Sequence, residues 1–369
     1  GSVAGIIAGS GVTLTKTGAG TLTLSGANTY GGNTTVNGGI LAVSSTGTLG
    51  NNVSTLTINS ATVDLQRAVT VGSLLMSGST PAITNSTGTS SLVVSGISTL
   101  ANTVTTSGLQ TYTGAVTLGA NTTLVSTDGV SAIALSSTVN GAYALTINNS
   151  GATTLGGIVG GSAALTSITT DASGTINLNG GAITTTGAQT YNEQMTLGAD
   201  TTLTSTSGAS AITLASTVNG ARTLTINNSG ATILGGVVGG TTALTGITTD
   251  AGGTVSLTGA SVTTNGAQTY HDAVTLGRNV SLTTGSSAGN ILFGSTVDGA
   301  YTLTTITTGG TTFTAAVGGT PLTGLTVTTA TLNAGDITLV SNAALSITNS
   351  GAGSVAGIIA GSGVTLTKT

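Results

Sequence analysis

The chain has no cysteine, no tryptophan and two prolines in 369 residues. No disulfide can hold the fold together, and the lack of thiols is compatible with passage through an oxidising compartment. Charge is nearly as scarce: 4% of residues are Asp, Glu, Lys or Arg, where an average globular domain carries about a quarter. Five cations, Lys16, Arg67, Arg222, Arg278 and Lys368, cannot lay the electropositive track that nucleic acid requires. The strong helix formers Glu, Lys, Gln and Arg are almost missing, which disfavours helices. Long apolar runs are missing too, since stretches such as VAGIIAG are too short to cross a bilayer, so no membrane span is expected in this segment. Disorder does not fill the gap, because 38% of residues are hydrophobic and the net charge is only -4.

What remains is Thr, Ser, Asn, 60 glycines and aliphatic residues. TLTLSGANT (21–29), STLTINSATVDL (54–65), NTTLVSTDG (121–129), ALTINNSG (144–151) and YTLTTITTGG (301–310) alternate apolar with Thr or Ser and stop at Gly, Asn or Asp. That is the pattern of strands with one buried and one wet face, broken by turns. Scarce proline fits, because interior strands need every backbone N–H; Pro81 and Pro321 are expected in loops.

Repetition decides how the strands stack. GLQTY (108–112), GAQTY (187–191) and GAQTY (266–270) set Tyr112, Tyr191 and Tyr270 at one constant interval, which defines a 79-residue repeat. STVNGAYALTINNSGATTLGGIVGG (137–161) returns as STVNGARTLTINNSGATILGGVVGG (216–240), and a diverged copy begins at 295. A repeat of that length holds three or four coils of roughly 20 to 26 residues, and stacked coils bury a core that none could bury alone. The expected fold is all-β: a parallel β-helix, or β-solenoid, forming a rod of roughly 15 to 18 coils. Residues 108–186, 187–265 and 266–344 are its 79-residue repeats, and 1–107 is a region of different repeat type.

Residues 353–369 repeat residues 1–17 without a substitution, at a period of 352. On that reading 345–369 starts the next tandem unit, and 1–369 is one continuous solenoid segment cut from a longer array.

TLTKTGAGTLTLSGANTYGGNTTVNGGILAVSSTGTLG (13–50), followed by STLTINSATVDL, resembles the autotransporter-associated β-strand repeat of bacterial passenger domains. The later copies resemble, in style, surface proteins of the filamentous-haemagglutinin kind. The resemblance implies export across a Gram-negative outer membrane and a right-handed parallel β-helix at the cell surface.

Residues that carry chemistry are few. His271 adjoins Asp272, but strand neighbours point to opposite faces, which favours a surface histidine over a base with its orienter. The nine acids, Asp64, Asp128, Asp171, Glu193, Asp200, Asp250, Asp272, Asp298 and Asp336, are scattered. Asp171 and Asp250 recur one repeat apart, too far along a rod for the roughly 5 to 9.5 Å of a glycosidase pair. They are expected to cap their own turns, with a calcium role left open and no GGxGxD run to support it. GAGSVAG (351–357) and GSGVTLTKT (9–17) imitate nucleotide loops but lead into strands instead of helices, so no cofactor and no enzymatic activity are expected. Asn148, Asn149, Asn227 and Asn228, in NNSG, read as turn residues able to adopt left-handed backbone angles, with side-chain ladders in addition. Tyr30, Tyr112, Tyr191 and Tyr270 either form a periodic row that stacks on sugars or fill equivalent corners of their coils.

Two functions follow as expectations. One is a structural unit of an extracellular filament, self-associating through neighbouring tandem units and bundling laterally through Thr-rich faces. The other is an adhesin stalk that contacts surface or biofilm glycans.

Overall fold

A computed structural model describes residues 1–285 and 289–369, and every regular element among them is a β-strand. The chain forms two compact units, Gly1–Thr185 and Thr186–Thr369.

In the first unit the strands form three parallel ladders. One runs Thr21–Leu24, Ile40–Val43, Thr62–Leu65, Ala82–Thr84, then through Ser98–Thr106 and Val116–Ser126 to Ala144–Asn149 and Ser167–Thr170. A second runs Leu14–Lys16, Thr34–Val36, Thr55–Asn59, Ser73–Ser77 and onward. The third runs Ala68–Val71, Ser91–Val94, Gln110–Tyr112, Ile133–Leu135, Ala152–Leu155 and Thr175–Leu178. Register gives the coil length: Leu24 lies beside Val43, Val43 beside Leu65, and Ile83 beside Val104. The step along the chain is therefore uneven, shortest in the first of these and longest in the second. Parallel pairing at such intervals is a β-solenoid, with each strand lying on its counterpart one coil earlier.

Period-two alternation makes the core. Leu24, Val43, Val63, Ile83, Val104, Leu124 and Ile147 point inward along one ladder and are all fully buried, while the intervening Thr residues reach the surface. Each buried aliphatic contributes on the order of 1.5 to 3 kcal/mol. A single strand could not bury such a face; the coil above and the coil below do it together.

The second unit repeats the arrangement. Its ladders include Gln189–Tyr191, Ile212–Leu214, Ala231–Leu234, Thr254–Leu257 and Ala273–Leu276; Thr201–Ser205, Thr223–Asn228, Gly246–Thr249, Gln268–Tyr270, Ile291–Phe293 and Gly310–Phe313; and Ser261–Thr264, Val280–Thr284 and Thr302–Ile306. The long sequence repeat and the coil are out of step. From Gln189 the register passes through Ile212 and Thr232 to Val255 on the third coil and Val274 on the fourth. Gln268, one repeat beyond Gln189, falls between those two and lies in a different ladder, beside Ile247.

Corners are made by glycine where the backbone must turn left and lie close. Gly239 has φ of 72°, and a Cβ there would sit 2.1 Å from the carbonyl oxygen of Thr263. Two expectations need correction. Pro321 lies within the strand Val317–Thr329 and not in a loop; it sits where the register with Ile337–Asn349 shifts, an irregularity that tolerates a missing N–H. The paired asparagines are not left-handed, since the non-glycine residues with positive φ among the described residues are Ser60, Asn102 and Asn342. Asn149 and Asn228 end strands, turn inward, and accept the N–H of Gly151 and Gly230 at 3.2 Å. The side chain supplies the turn hydrogen bond, so no left-handed angle is needed.

Candidate functional site: the buried Gln–Tyr corners

The Gln-x-Tyr motif that heads each 79-residue repeat folds inward. In Gln110–Tyr112, alternation buries Gln110 and Tyr112 and turns Thr111 outward. The Gln110 amide Nε2 donates to the carbonyls of Val104 at 3.1 Å and Val125 at 2.8 Å, and the Tyr112 hydroxyl donates to Gln110 Oε1 at 3.0 Å. Val104 and Val125 belong to strands paired one above the other. One buried amide thus ties a coil to the next, and its own oxygen is satisfied by tyrosine.

The second unit contains the device twice. Tyr191 donates to Gln189 at 2.9 Å, and Gln189 donates to Thr204 O at 2.9 Å. Tyr270 donates to Gln268 at 3.0 Å, and Gln268 to Val262 O and Thr283 O at 3.1 and 2.9 Å. The preceding NTY sequence is a variant: Asn28 accepts from Ile7 N–H at 2.9 Å and donates to Thr48 O at 2.9 Å, while the Tyr30 hydroxyl bonds Thr34 Oγ1 at 2.6 Å. Burial pushes the hydroxyl pKa of Tyr112, Tyr191 and Tyr270 well above the phenol value, and that of Tyr30 upward too, so all four stay neutral.

These positions correct the sugar-stacking expectation for Tyr30, Tyr112, Tyr191 and Tyr270. Each ring is 0% exposed and presents no face to a ligand. Nor do they form a row, because Tyr191 and Tyr270 lie in different ladders. The exposed aromatics among the described residues are Tyr143 and Tyr301, with Arg222 at the equivalent position between them in sequence. Arg222 precedes the strand Thr223–Asn228 and Tyr301 precedes Thr302–Ile306, again in different ladders. The sequence signal for the corner was the Gln-x-Tyr spacing, which puts both side chains on one strand face; the out-of-step coil was not visible in it.

His271 and Asp272 point apart, His271 to solvent and Asp272 inward at 2% exposure. Asp272 accepts the Gly253 N–H at 2.7 Å, and burial, reinforced by the charge of Asp250, raises its pKa. Asp128 caps its own turn, accepting the N–H groups of Val130 and Ser131 at 3.0 and 2.8 Å, whereas six other acids serve coil junctions. Asp171 and Asp250 accept from Asn149 N at 3.1 Å and Asn228 N at 2.8 Å, 22 residues back in each case. They cap the neighbouring coil and not their own turn, because stacking brings that coil's N–H within reach. Asp64, Asp200, Asp298 and Asp336 likewise accept from Ser86, Thr223, Thr320 and Ile358 N–H groups. Among the described residues no three His, Cys, Asp or Glu side chains group closely enough to hold a metal, and no helix is long and apolar enough to cross a membrane.

No curated protein and no solved structure matches the chain. Residues 14–43 match the family model of the passenger-associated transport repeat. They span the strands Leu14–Lys16 to Ile40–Val43, one coil step in each of two ladders of the first unit. That match, together with a fold of parallel strands stacked as a β-solenoid, fits an autotransporter passenger repeat protein, and such a repeat implies a secreted or cell-surface protein.

Proposed function

We propose that the chain is a structural segment of an extracellular filament on a bacterial cell surface, in which units repeating at a period of 352 stack as one continuous solenoid. The observation behind this reading is where the repeated polar residues go. Gln110, Gln189 and Gln268, with their tyrosines, are spent inside the coils, and most of the acids cap junctions between coils. The mechanism is mechanical: ladder hydrogen bonds along the stack, with a narrow aliphatic core, resist extension and proteolysis.

Lateral bundling belongs to the same reading, since 4% charged residues leave little repulsion between neighbouring rods. Bundles of this kind should survive high salt. A glycan-binding stalk would draw its contacts from exposed residues, and Arg222 and Tyr301 lie in different ladders, so they form no row that would favour it. Electron microscopy of cells bearing the native protein, with antibody against this segment, tests the proposal. Continuous filaments labelled at regular intervals support it; short rods with distinct tips would shift the function to those tips.

A further inference from the structure

Charged residues are rare in this chain, yet Arg67 and Asp128 stand toward opposite ends of one groove in the first unit. Two cavities, of about 230 and about 350 Å³, meet at Ala68 and Ser91, which line both. Those two residues are register partners at outward positions of Ala68–Val71 and Ser91–Val94. Small side chains there leave a trough in the wall. Thr48 and Asn52 flank it on the preceding coil, Ser107, Leu109 and Asp128 on the following ones. The coils stack in order: Arg67 donates to Gly47 O, Ala68 pairs with Ser91, Ser90 N–H donates to Ser107 Oγ and Asp128 N–H to Ser107 O. Four steps of about 4.8 Å make the groove about 19 Å long, room for a short oligosaccharide.

Its ends differ electrically. The Arg67 guanidinium donates to two backbone carbonyls, Gly47 O at 2.8 Å and Ala68 O at 3.4 Å, and its other N–H groups have no partner among the described residues. No carboxylate answers its charge, since Asp64 on the preceding strand is taken up by Ser86 and Gln66. Asp128 is held by its own turn, through the N–H groups of Val130 and Ser131 and the Ser131 hydroxyl. It remains a negative charge that repels an anion from that end. Between the two lie the hydroxyls of Thr89, Ser91 and Ser107 and an apolar ledge, Leu109, 37% exposed.

We propose that this groove binds a short oligosaccharide ending in an acidic sugar, with the sugar carboxylate on Arg67 and the neutral residues running past Ser91 toward Asp128. A guanidinium fork takes a carboxylate through two parallel hydrogen bonds. Hydroxyl side chains both donate and accept, as sugar hydroxyls require, and Leu109 meets the C–H face of a ring. A peptide would need an open sheet edge. The edge of Ala68–Val71 is closed at both ends by the coil beneath, where Arg67 reaches Gly47 O and the Gly72 N–H reaches Ser54 O at 2.9 Å. The inference goes beyond the filament reading and does not depend on it, because the groove belongs to a single chain.

The test is titration of the full chain with sialyllactose, a trisaccharide with one terminal carboxylate, beside lactose and sodium acetate, followed by ligand-observed NMR. Saturable sialyllactose binding that weakens as salt rises is expected, with lactose and acetate each about tenfold weaker or more. Arg67→Gln should lower sialyllactose affinity about tenfold by removing a charge-assisted pair. Ser91→Phe, which fills the trough, should abolish binding, and Arg222→Gln in the second unit should leave it unchanged. Urea midpoints near the parent's show that the variants fold; should Ser91→Phe fail to fold, the surface change Arg67→Gln still decides. No sialyllactose binding, acetate binding as tightly as the trisaccharide, or Arg67→Gln binding like the parent would overturn the proposal. Filaments seen on cells alongside any of those results would leave the filament reading standing.

Discussion

Phe313 lies one coil beyond Phe293, its register partner, and the two rings stack with centroids 4.9 Å apart and planes 2° from parallel. Tyr270 extends the column, 5.5 Å from Phe293. One aromatic per coil, each in the same ladder, is the aromatic form of the aliphatic columns elsewhere in the core. Phe313→Ala should cost about 3 to 5 kcal/mol by emptying a close-packed site, and Phe313→Leu markedly less. Denaturant titration combined with hydrogen exchange reads both, and the loss of protection should centre on Ile291–Phe293, Gly310–Phe313 and Thr331–Ala334.

The Gln–Tyr corner makes a prediction about order of damage. Tyr270→Phe removes one donor and leaves the Gln268 oxygen unpaired, costing about 1 to 3 kcal/mol. Gln268→Leu orphans the Tyr270 hydroxyl and removes the amide donor from the carbonyls of Val262 and Thr283, and should cost more than Tyr270→Phe. Urea unfolding of the two variants ranks them, and the reverse order would mean the amide is not the joint between coils.

Gly239→Ala tests the corner geometry. A left-handed φ costs a non-glycine residue roughly 1 to 2 kcal/mol, and the added methyl also meets the Thr263 carbonyl. The variant should lose more than about 2 kcal/mol by these two terms together. Gly129→Ala, with φ of 77° but nothing within 4 Å of the added Cβ, isolates the backbone term and should lose less.

Two buried aspartates should respond to pH with opposite sign. Burial works upward on Asp64, but the hydroxyl and N–H of Ser86 at 2.6 and 2.8 Å and the Gln66 amide at 2.8 Å outweigh it, holding the pKa below the usual carboxylate value. Its stabilisation is therefore present above that usual value and is lost as pH falls through the depressed one. Asp64→Asn should destabilise the protein at pH 7 and make no difference at the acid extreme. Asp272 is raised, so the folded chain binds more protons between the usual and the raised value, and stability falls as pH climbs through that window. Asp272→Asn keeps an acceptor for Gly253 and should be more stable than the parent at pH 7, with the advantage gone near pH 3. Urea midpoints across this range decide both.

How much of this was legible in the sequence depended on the kind of pattern. Alternation in TLTL and STLTINSATVDL reported strand faces directly, because burial has period two, and the long internal copies reported stacking. The wall occupied by each tyrosine was hidden, since it depends on how the 79-residue repeat divides into coils of uneven length, such as the longer step from Gln189 to Ile212 and the shorter one from Ile212 to Thr232. The acids were misread for a related reason. Asp171 and Asp250 look like local turn caps in sequence, yet their partners lie 22 residues back, a distance that has meaning only once the coil length is known.

Diffraction from oriented native fibres tests the central claim most directly. Parallel strands stacked coil upon coil place the strand spacing along the fibre, so a meridional reflection at about 4.8 Å is predicted. The same reflection on the equator, with strands running along the fibre, or a helical pattern without it, would contradict the account.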